Sequence, residues 1–350
     1  MPKQFLGLDY PIIQAPMAGV QGSALAIAVS NAGGLGSLPC AMLTPEAILA
    51  EVSRIRLQRE STERTHSPFN LNFFCHQLPL IDDSIEDRWR NQFADAYQTY
   101  DVDPALIAPV PLRLPFSPLM AALVEDIKPA VVSFHFGLPE VALLDRVKRS
   151  GAKVMSSATT VEEALWLEAH GADIIIAQGL EAGGHRGMFL TSDITTQMGT
   201  FALLPQIIKA VELPVVAAGG IADAGGVKAA LDLGAAAVQI GTAFMLCPEA
   251  STSQVHRKAL QSPRARHTAI TNVFTGRPAR GIVNHMIESY GPMNNLAPPF
   301  PFATSASAPL RVKAEALGSS DFSPLWAGQN VTGCREIPAA QLMKELVRFV

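Results

Sequence analysis

The sequence predicts an α/β fold, a TIM (β/α)8 barrel, with an inserted segment after the third strand and a smaller C-terminal lobe. Short apolar runs recur along residues 10–245, and each is followed by a loop, a helix-like stretch and a glycine. Eight such runs occur, which is the strand number of this barrel. Three runs end in glycine-rich loops, as strands do where the backbone turns tightly beside a ligand. These segments are 174–187, 214–223 and 236–244.

Most of the runs lack polar alternation, which is typical of strands buried on both faces of a parallel sheet. The predicted strands are Ile12–Ala15, Leu35–Leu38, Phe69–Phe73, Val131–Phe134, Lys153–Ser156, Ile174–Ala177, Val215–Ala218 and Val238–Ile240. An open doubly wound sheet is the alternative, and its usual mark is a G-x-G-x-x-G turn after the first strand. The nearest string, at 32–39, has a different spacing and precedes its strand, so the barrel is favoured.

The helices between the strands are predicted from their end signals. Thr160 is the expected N-cap of one helix, Glu163 would complete a capping box, and Gly171 would end the helix. Gly151 and Gly234 stand in the same place before two other strands. Strands and helices that alternate at this spacing form right-handed βαβ units.

Two regions depart from the repeating pattern. Residues 76–128 hold an acidic, aromatic helix-like stretch and then a proline-rich loop, which we predict to follow the third strand. After residue 247 the strand pattern stops: 253–261 is a predicted helix, whereas 291–310 is too proline-rich for a regular element. We therefore expect a barrel over 1–247, a lobe covering its mouth over 248–335, and a helix packed on its wall over 336–350.

Composition excludes several classes of protein. The net charge is −4 and the 27 Lys and Arg residues are spread along the chain, so we expect no nucleic-acid partner. No apolar stretch reaches the ~20 residues that span a bilayer, and the N-terminus lacks signal-peptide features, which predicts a cytoplasmic protein without a membrane partner. The four cysteines form no C-x-x-C pair, so neither a zinc site nor a disulfide framework is indicated.

The candidate site residues lie at the C-terminal ends of the predicted strands, because active sites of these barrels lie there. The loops after the last two strands supply small residues and free N–H groups, and a phosphate often sits between such loops. Thr242 can add a hydroxyl donor. The alternative is that these glycines only allow close packing. The candidates for the cofactor are Ala15, Pro16, Met17, Asn72, Gln178, Gly183, Gly219, Gly220, Gln239, Ile240, Gly241 and Thr242.

Two histidines are the candidate acid or base groups, because histidine titrates near neutrality. His135 and His185 both follow strands and should face one mouth. His185 is favoured, since its Gly-Gly-His-Arg-Gly loop has little apolar character, although a histidine fixed in a polar network is the alternative for each. Glu181 either orients this loop or is solvated. The remaining histidines are expected to be structural or exposed: His66, His76, His170, His256, His267 and His285.

Taken together, several motifs resemble those of the nitronate monooxygenases, formerly called 2-nitropropane dioxygenases, and of their class I branch most of all. The motifs are QAPMAGV (14–20), NLNFF (70–74), HFGLP (135–139), QGLEAGGHRG (178–187), AAGGIAD (217–223) and QIGTAF (239–244), with looser similarity at 274–284 and 326–329. The resemblance implies a barrel that holds FMN and oxidises alkyl nitronates, such as propionate 3-nitronate, with O₂ through a flavin semiquinone.

The same resemblance implies residue roles. FMN binding falls on Asn72, Gln178 and the glycine loops, and the catalytic histidines correspond to His135 and His185. Class I enzymes line the substrate pocket with tyrosines from the loop after the barrel, whereas here only Tyr290 lies in that region. Tyr290 is therefore an expected substrate residue beside His135 and His185, with Phe300 and Phe302 as substitutes.

Two other functions remain open from the sequence. An FMN-dependent NAD(P)H:quinone or enoyl reductase could use the same barrel without a recognisable nicotinamide motif. A flavin-free phosphate-binding barrel is the third hypothesis. In each case the partners are small molecules, and we expect a monomer or a homodimer.

Overall fold

The computed structural model describes residues 5–60, 68–80, 83–107 and 113–350. Eight parallel strands form one sheet, and a short β7 lies in the loop after β6. The predicted strands are confirmed, with ends that differ by at most two residues. The strands are β1 Ile12–Gln14, β2 Gly36–Pro39, β3 Phe69–Phe74, β4 Val131–His135, β5 Lys153–Ala158, β6 Ile174–Gln178, β7 Gly184–His185, β8 Val215–Ala218, β9 Ala237–Ile240, β10 Thr268–Thr271 and β11 Ala279–Ile282.

The sheet closes on itself, which confirms the predicted barrel. The strand order is β1-β9-β8-β6-β5-β4-β3-β2, with every neighbouring pair parallel. A bridge between Ile13 and Leu35 joins the two end strands, and the Gln14 N–H donates to the Leu35 carbonyl at 2.9 Å. All loops after the strands therefore open at one rim of the barrel.

Helices cover the outside of the barrel and build the two added regions. The helices are α1 Ser23–Asn31, α2 Pro45–Glu60, α3 Asp83–Asn91, α4 Ala94–Thr99, α5 Pro118–Ile127, α6 Val141–Arg149, α7 Val161–Ala169, α8 Thr200–Ala210, α9 Ala224–Asp232, α10 Gln254–Gln261, α11 His285–Tyr290, α12 Thr304–Ala316 and α13 Ala339–Leu346. No helix of the described ranges is long and apolar enough to cross a membrane.

Local signals explain how α7 begins and ends. The Thr160 side chain accepts the Glu163 N–H at 3.2 Å, and Gly171 has the positive φ of +97° predicted for a residue that ends a helix. The Glu163 carboxylate, however, accepts the N–H and hydroxyl of Thr159, both at 2.7 Å, instead of the Thr160 N–H. The reciprocal bond of the predicted capping box is thus displaced by one residue.

The core has two layers, as expected for strands buried on both faces. Inside the barrel, apolar side chains such as Ile13, Met155 and Val216 fill the end opposite the loops. Between the strands and the outer helices, a larger layer includes Val238 and Ile240. The C-terminal helix α13 joins this layer, because its buried face packs against α1 and α9.

The C-terminal lobe is more regular than expected. Helix α12 begins at Thr304 and contains Pro309, so the expectation that 291–310 holds no regular element is wrong. Burial of Ala306, Leu310 and Ala314 stabilises this helix despite the proline. The lobe also contributes strands β10 and β11, which pair antiparallel with each other, and β11 pairs antiparallel with β7. Residues of the lobe are thereby fixed beside the β6 loop.

Candidate functional site

One cavity at the loop end of the barrel gathers nearly all the predicted site residues. It is lined by residues that follow β1, β3, β4, β6, β8 and β9, together with residues of the C-terminal lobe. The predicted residues that line it are Ala15, Pro16, Met17, Asn72, His135, Gln178, Gly183, His185, Gly219, Gly220, Gln239, Gly241 and Thr242.

Two predicted residues do not line this cavity. Ile240 is 1% exposed and packs in the layer between strands and helices, since it alternates with the cavity residue Gln239 along β9. Tyr290 packs on Phe93 of the inserted segment, with 4.5 Å between ring centroids. The structure therefore assigns neither the cofactor contact of Ile240 nor the substrate contact of Tyr290.

The glycine loops after β8 and β9 lie side by side. Ala218 pairs with Gln239, so Gly220 and Gly241 follow adjacent positions of the sheet and line the same cavity. Gly220 has a φ of +72°, a conformation that glycine adopts at low cost. Neither Gly220 nor Gly241 donates its backbone N–H to another residue of the described chain. These N–H groups remain available to an anion.

A hydrogen-bond network fixes the β6 and β8 loops relative to each other. The Glu181 carboxylate accepts both the N–H and the hydroxyl of Thr200 at 2.8 Å. The same hydroxyl lies 3.0 Å from the Gly219 carbonyl oxygen. Glu181 therefore caps the start of α8 and orients the loops, which is one of the two roles considered for it.

The C-terminal lobe closes the end of the cavity beside these glycines. The Gly328 N–H donates to the Thr242 hydroxyl at 3.0 Å, and Asn330 Nδ2 donates to the Gly220 carbonyl at 2.9 Å. A Cβ atom on Gly183 would lie 2.5 Å from the Gly328 nitrogen, so Gly183 permits this close approach. The Thr242 hydroxyl oxygen accepts the Gly328 N–H, so the hydroxyl proton of Thr242 can be donated to a ligand.

Polar side chains hold the loop that carries His185 in place. Gln178 donates from Nε2 to the His185 carbonyl at 2.9 Å and accepts the Gly187 N–H at 2.8 Å. The guanidinium of Arg186 is buried and donates to the carbonyls of Gly179 and Gln178 at 2.8 and 2.7 Å. Burial lowers the pKa of Arg186 to about 9. The loop is therefore pre-organised.

Both ring nitrogens of His135 are engaged by the protein. Nε2 lies 3.1 Å from the His185 carbonyl, which can only accept, and Nδ1 lies 3.1 Å from the Ser157 hydroxyl. His135 therefore carries its proton on Nε2 and accepts the Ser157 proton at Nδ1. Burial lowers the pKa of His135 to about 4, so the ring is neutral at pH 7. Its place in this network favours a positioning role.

His185 has one ring nitrogen, Nδ1, without a hydrogen-bond partner among the described residues. Nε2 lies 2.9 Å from the Thr275 hydroxyl, which itself donates to the Arg277 carbonyl at 3.4 Å. The hydroxyl is thus left to accept from Nε2–H, and Nδ1 is unprotonated. Burial first, and then the positive charge of Arg113, hold the pKa of His185 well below its usual range. His185 presents a neutral imidazole with one free acceptor.

Aromatic rings surround His185, and sequence reasoning found only part of them. The ring centroid of Phe300 lies 5.3 Å from that of His185, and the rings of Trp326 and Phe74 lie 5.6 and 6.3 Å away. Phe300 was one of the predicted substitutes, whereas Phe302 lines a neighbouring cavity. The motif NLNFF already contained Phe74, but nothing local distinguished it from a core residue.

Several residues at or near the cavity were not indicated by any sequence motif. Arg113, Ser133 and Ser157 line the cavity although no motif signalled them. His76, expected to be structural or exposed, is buried with its ring 4.7 Å from that of Phe300. His66 lies outside the described residues. No group of three or more His, Cys, Asp or Glu side chains within the described ranges could hold a metal ion.

The buried histidines predict a pH-dependent stability. Burial is the largest cause that lowers the pKa of His76, His135 and His256 from 6.5 to about 4. Between these values the unfolded chain binds more protons than the folded chain. We expect the free energy of unfolding to fall as the pH decreases from 6.5 towards 4, by up to ~1.4 kcal/mol per pH unit for each histidine. Urea unfolding across this window measures the slope, and a flat profile would contradict the neutral state of these rings.

Comparison with known proteins agrees with this geometry. The family model described as nitronate monooxygenase matches residues 2–348. The chain belongs to the nitronate monooxygenase family. A nitronate monooxygenase of Pseudomonas aeruginosa is 44% identical over 346 residues, which cover 98% of this chain and 97% of that protein.

The chain is also similar to solved structures. A nitroalkane oxidase from Streptomyces ansochromogenes has a TM-score of 0.87 and 38% identity, over 97% of this chain and 95% of that chain. FabK from Thermotoga maritima has a TM-score of 0.67 and 25% identity, over 98% of this chain and 93% of that chain. As a member of the nitronate monooxygenase family, the protein is a flavin-dependent oxidoreductase. This membership disfavours the flavin-free barrel.

Proposed function

We propose that this member of the nitronate monooxygenase family binds FMN and oxidises alkyl nitronates, such as propionate 3-nitronate, with O₂. The products are the carbonyl compound and nitrite or nitrate. The observation that carries the proposal is a single cavity. At one end lie two glycine N–H groups that have no partner among the described residues, and at the other lies a neutral, aromatic-lined His185. A phosphate-bearing redox cofactor and a small organic substrate would fill these two ends.

The chemistry of the donor set supports FMN at this place. Gly220, Gly241 and Thr242 offer N–H and hydroxyl donors of the kind that hold phosphate in barrels. Gln239 lines the same cavity, and its Oε1 is buried without a hydrogen-bond partner among the described residues. A buried orphan acceptor is costly unless a ligand donates to it. When bound, FMN supplies the electron acceptor for nitronate oxidation, and O₂ is the final oxidant.

The side chains near His185 bind and orient the substrate. A nitronate is already deprotonated, so no base is required for it, and positioning is the main contribution of the neutral histidines. For a neutral nitroalkane, the unprotonated Nδ1 of His185 can accept the proton. Phe74, Phe300 and Trp326 exclude water, which strengthens electrostatic interactions inside the cavity.

The test begins with the purified protein. We expect a visible flavin spectrum, release of FMN on denaturation, and O₂ uptake on addition of propionate 3-nitronate. Under anaerobic conditions, nitronate should reduce the flavin rapidly, whereas NADH should do so slowly or not at all. A yellow protein without nitronate-dependent O₂ uptake would support the flavin site and contradict the proposed reaction.

The likeness to FabK supports a second candidate on the same barrel, an FMN-dependent NAD(P)H:quinone or enoyl reductase. The anaerobic experiment separates the two reactions, because rapid bleaching by NADH together with inert nitronate would favour the reductase. The first candidate is preferred, since the nitroalkane oxidase structure has the higher TM-score and identity.

A further inference from the structure

Arg113 lies where two cavities meet. It lines the cavity of His185 and also a neighbouring cavity between the inserted segment and the C-terminal lobe, lined by residues such as Phe116 and Phe302. Its guanidinium carbon lies 5.8 Å from the centroid of Phe300, the ring that packs beside His185. Because His185 and Arg113 line the same cavity, a substrate held at His185 can extend to Arg113.

The charge of Arg113 has no partner. Its Nη1 is buried without a hydrogen-bond acceptor, and no carboxylate forms an ion pair with it in the part of the chain that the structure describes. Two other arginines nearby already have partners in the protein. Arg277 lies 3.9 Å over the Phe136 ring and donates to the Met188 carbonyl, while Arg311 pairs with Glu315 at 2.8 Å.

A guanidinium with a buried nitrogen that has no acceptor is unfavourable unless a ligand compensates it. Removal of a charge from water costs free energy, and an aromatic ring at 5.8 Å recovers only part of it. The charge that acts on Arg113 most strongly is that of Arg311, which has the same sign. An anionic group of a ligand would satisfy Nη1 and remove this cost, because a guanidinium binds a carboxylate with charge-assisted hydrogen bonds.

We propose that Arg113 determines substrate selectivity by pairing with a carboxylate carried by the substrate on the carbon chain away from its nitronate group. This inference rests on the proposed function and adds a residue that no motif of the sequence indicated. Arg113 then binds the carboxylate of the substrate, whereas His185 lies at the nitronate group, where the reaction takes place.

The test compares two nitronates of equal chain length in the holoenzyme. Propionate 3-nitronate carries the carboxylate, and propyl-1-nitronate has a methyl group in its place. For Arg113→Met we expect KM for propionate 3-nitronate to rise by about 10- to 150-fold, the range for loss of a hydrogen bond to a charged group. We expect kcat to change little, KM for propyl-1-nitronate to stay near that of the wild type, and Arg113→Lys to restore part of the affinity.

Arg90→Met is the matched control, because Arg90 lines only the neighbouring cavity, its Nη1 lies 3.9 Å from an Asp87 carboxylate oxygen, and its charge is not one of those that act on Arg113. It should leave the ratio of the two KM values unchanged. An equal rise in KM for both nitronates in Arg113→Met would overturn the proposal and indicate contact with the nitronate group itself. An unchanged ratio would overturn it as well.

A binding measurement separates this inference from the proposed reaction. Calorimetric titration with 3-nitropropionate, which carries the carboxylate but is not a nitronate, should show weaker binding to Arg113→Met than to the wild type. The same titration with 1-nitropropane should show no difference between the two proteins. If neither nitronate is oxidised, the proposed function is wrong. The difference in 3-nitropropionate affinity between Arg113→Met and the wild type still tests whether Arg113 binds the carboxylate.

Discussion

Replacement of His185 by alanine is expected to leave FMN bound and to reduce nitronate turnover by about 100-fold or more, the lower part of the range for loss of a catalytic proton-transfer or positioning group. The imidazole is neutral, its Nε2 is fixed by Thr275, and its Nδ1 has no protein partner among the described residues. The substitution removes this acceptor but keeps the His185 carbonyl, to which Gln178 and His135 are bonded. The loop should therefore hold its place.

Steady-state kinetics with propionate 3-nitronate and the flavin content of the purified variant measure this outcome. His285→Ala is the matched control, since His285 is exposed on α11 and contacts Ser289 outside the cavity. Thr275→Val, which removes only the partner of Nε2, should cause a smaller loss. Unchanged turnover in His185→Ala would return His185 to a structural role.

Gly219→Ala is expected to abolish retention of FMN. Gly219 has a φ of +123°, which an alanine adopts only with strain. A Cβ atom there would lie 2.7 Å from the Thr200 hydroxyl and 3.1 Å from the Ala182 nitrogen. The Thr200 hydroxyl is fixed by Glu181, so the β8 loop must move instead. Movement of this loop displaces the N–H groups proposed for the phosphate, and we expect flavin occupancy to fall at least about tenfold.

The ratio of flavin to protein absorbance, with and without added FMN, checks this prediction, and a thermal melt shows whether the variant folds. Gly226→Ala is the matched control, because its Cβ would meet only ordinary contacts of 3.5 Å or more. Gly226 lies inside α9, where alanine is favoured over glycine by about 0.5–1 kcal/mol. A folded Gly219→Ala protein with full flavin content would contradict the role given to this loop.

The strands and the loop ends were predictable because their signals are local. Glycine at 220 and 241 follows an apolar run directly, and a parallel sheet places the ends of neighbouring strands together whatever the details of packing. The packing of the Ile240 side chain away from the cavity was predictable, since side chains alternate along a strand and Gln239 already faces the cavity. The position of Tyr290 was not, because only the packing of the lobe places its ring on Phe93.

The sequence by itself determined the barrel, its glycine loops, the two histidines and the family, because each depends on the order and spacing of neighbouring residues. Only the tertiary structure decided how these parts act. Contacts between residues far apart in the chain assign the proton of His135, leave His185 with a free nitrogen and bring Gly328 onto Thr242. They also leave Nη1 of Arg113 buried without an acceptor among the described residues. Hydrogen bonding and burial depend on which distant atoms meet, and that information is a property of the packed chain.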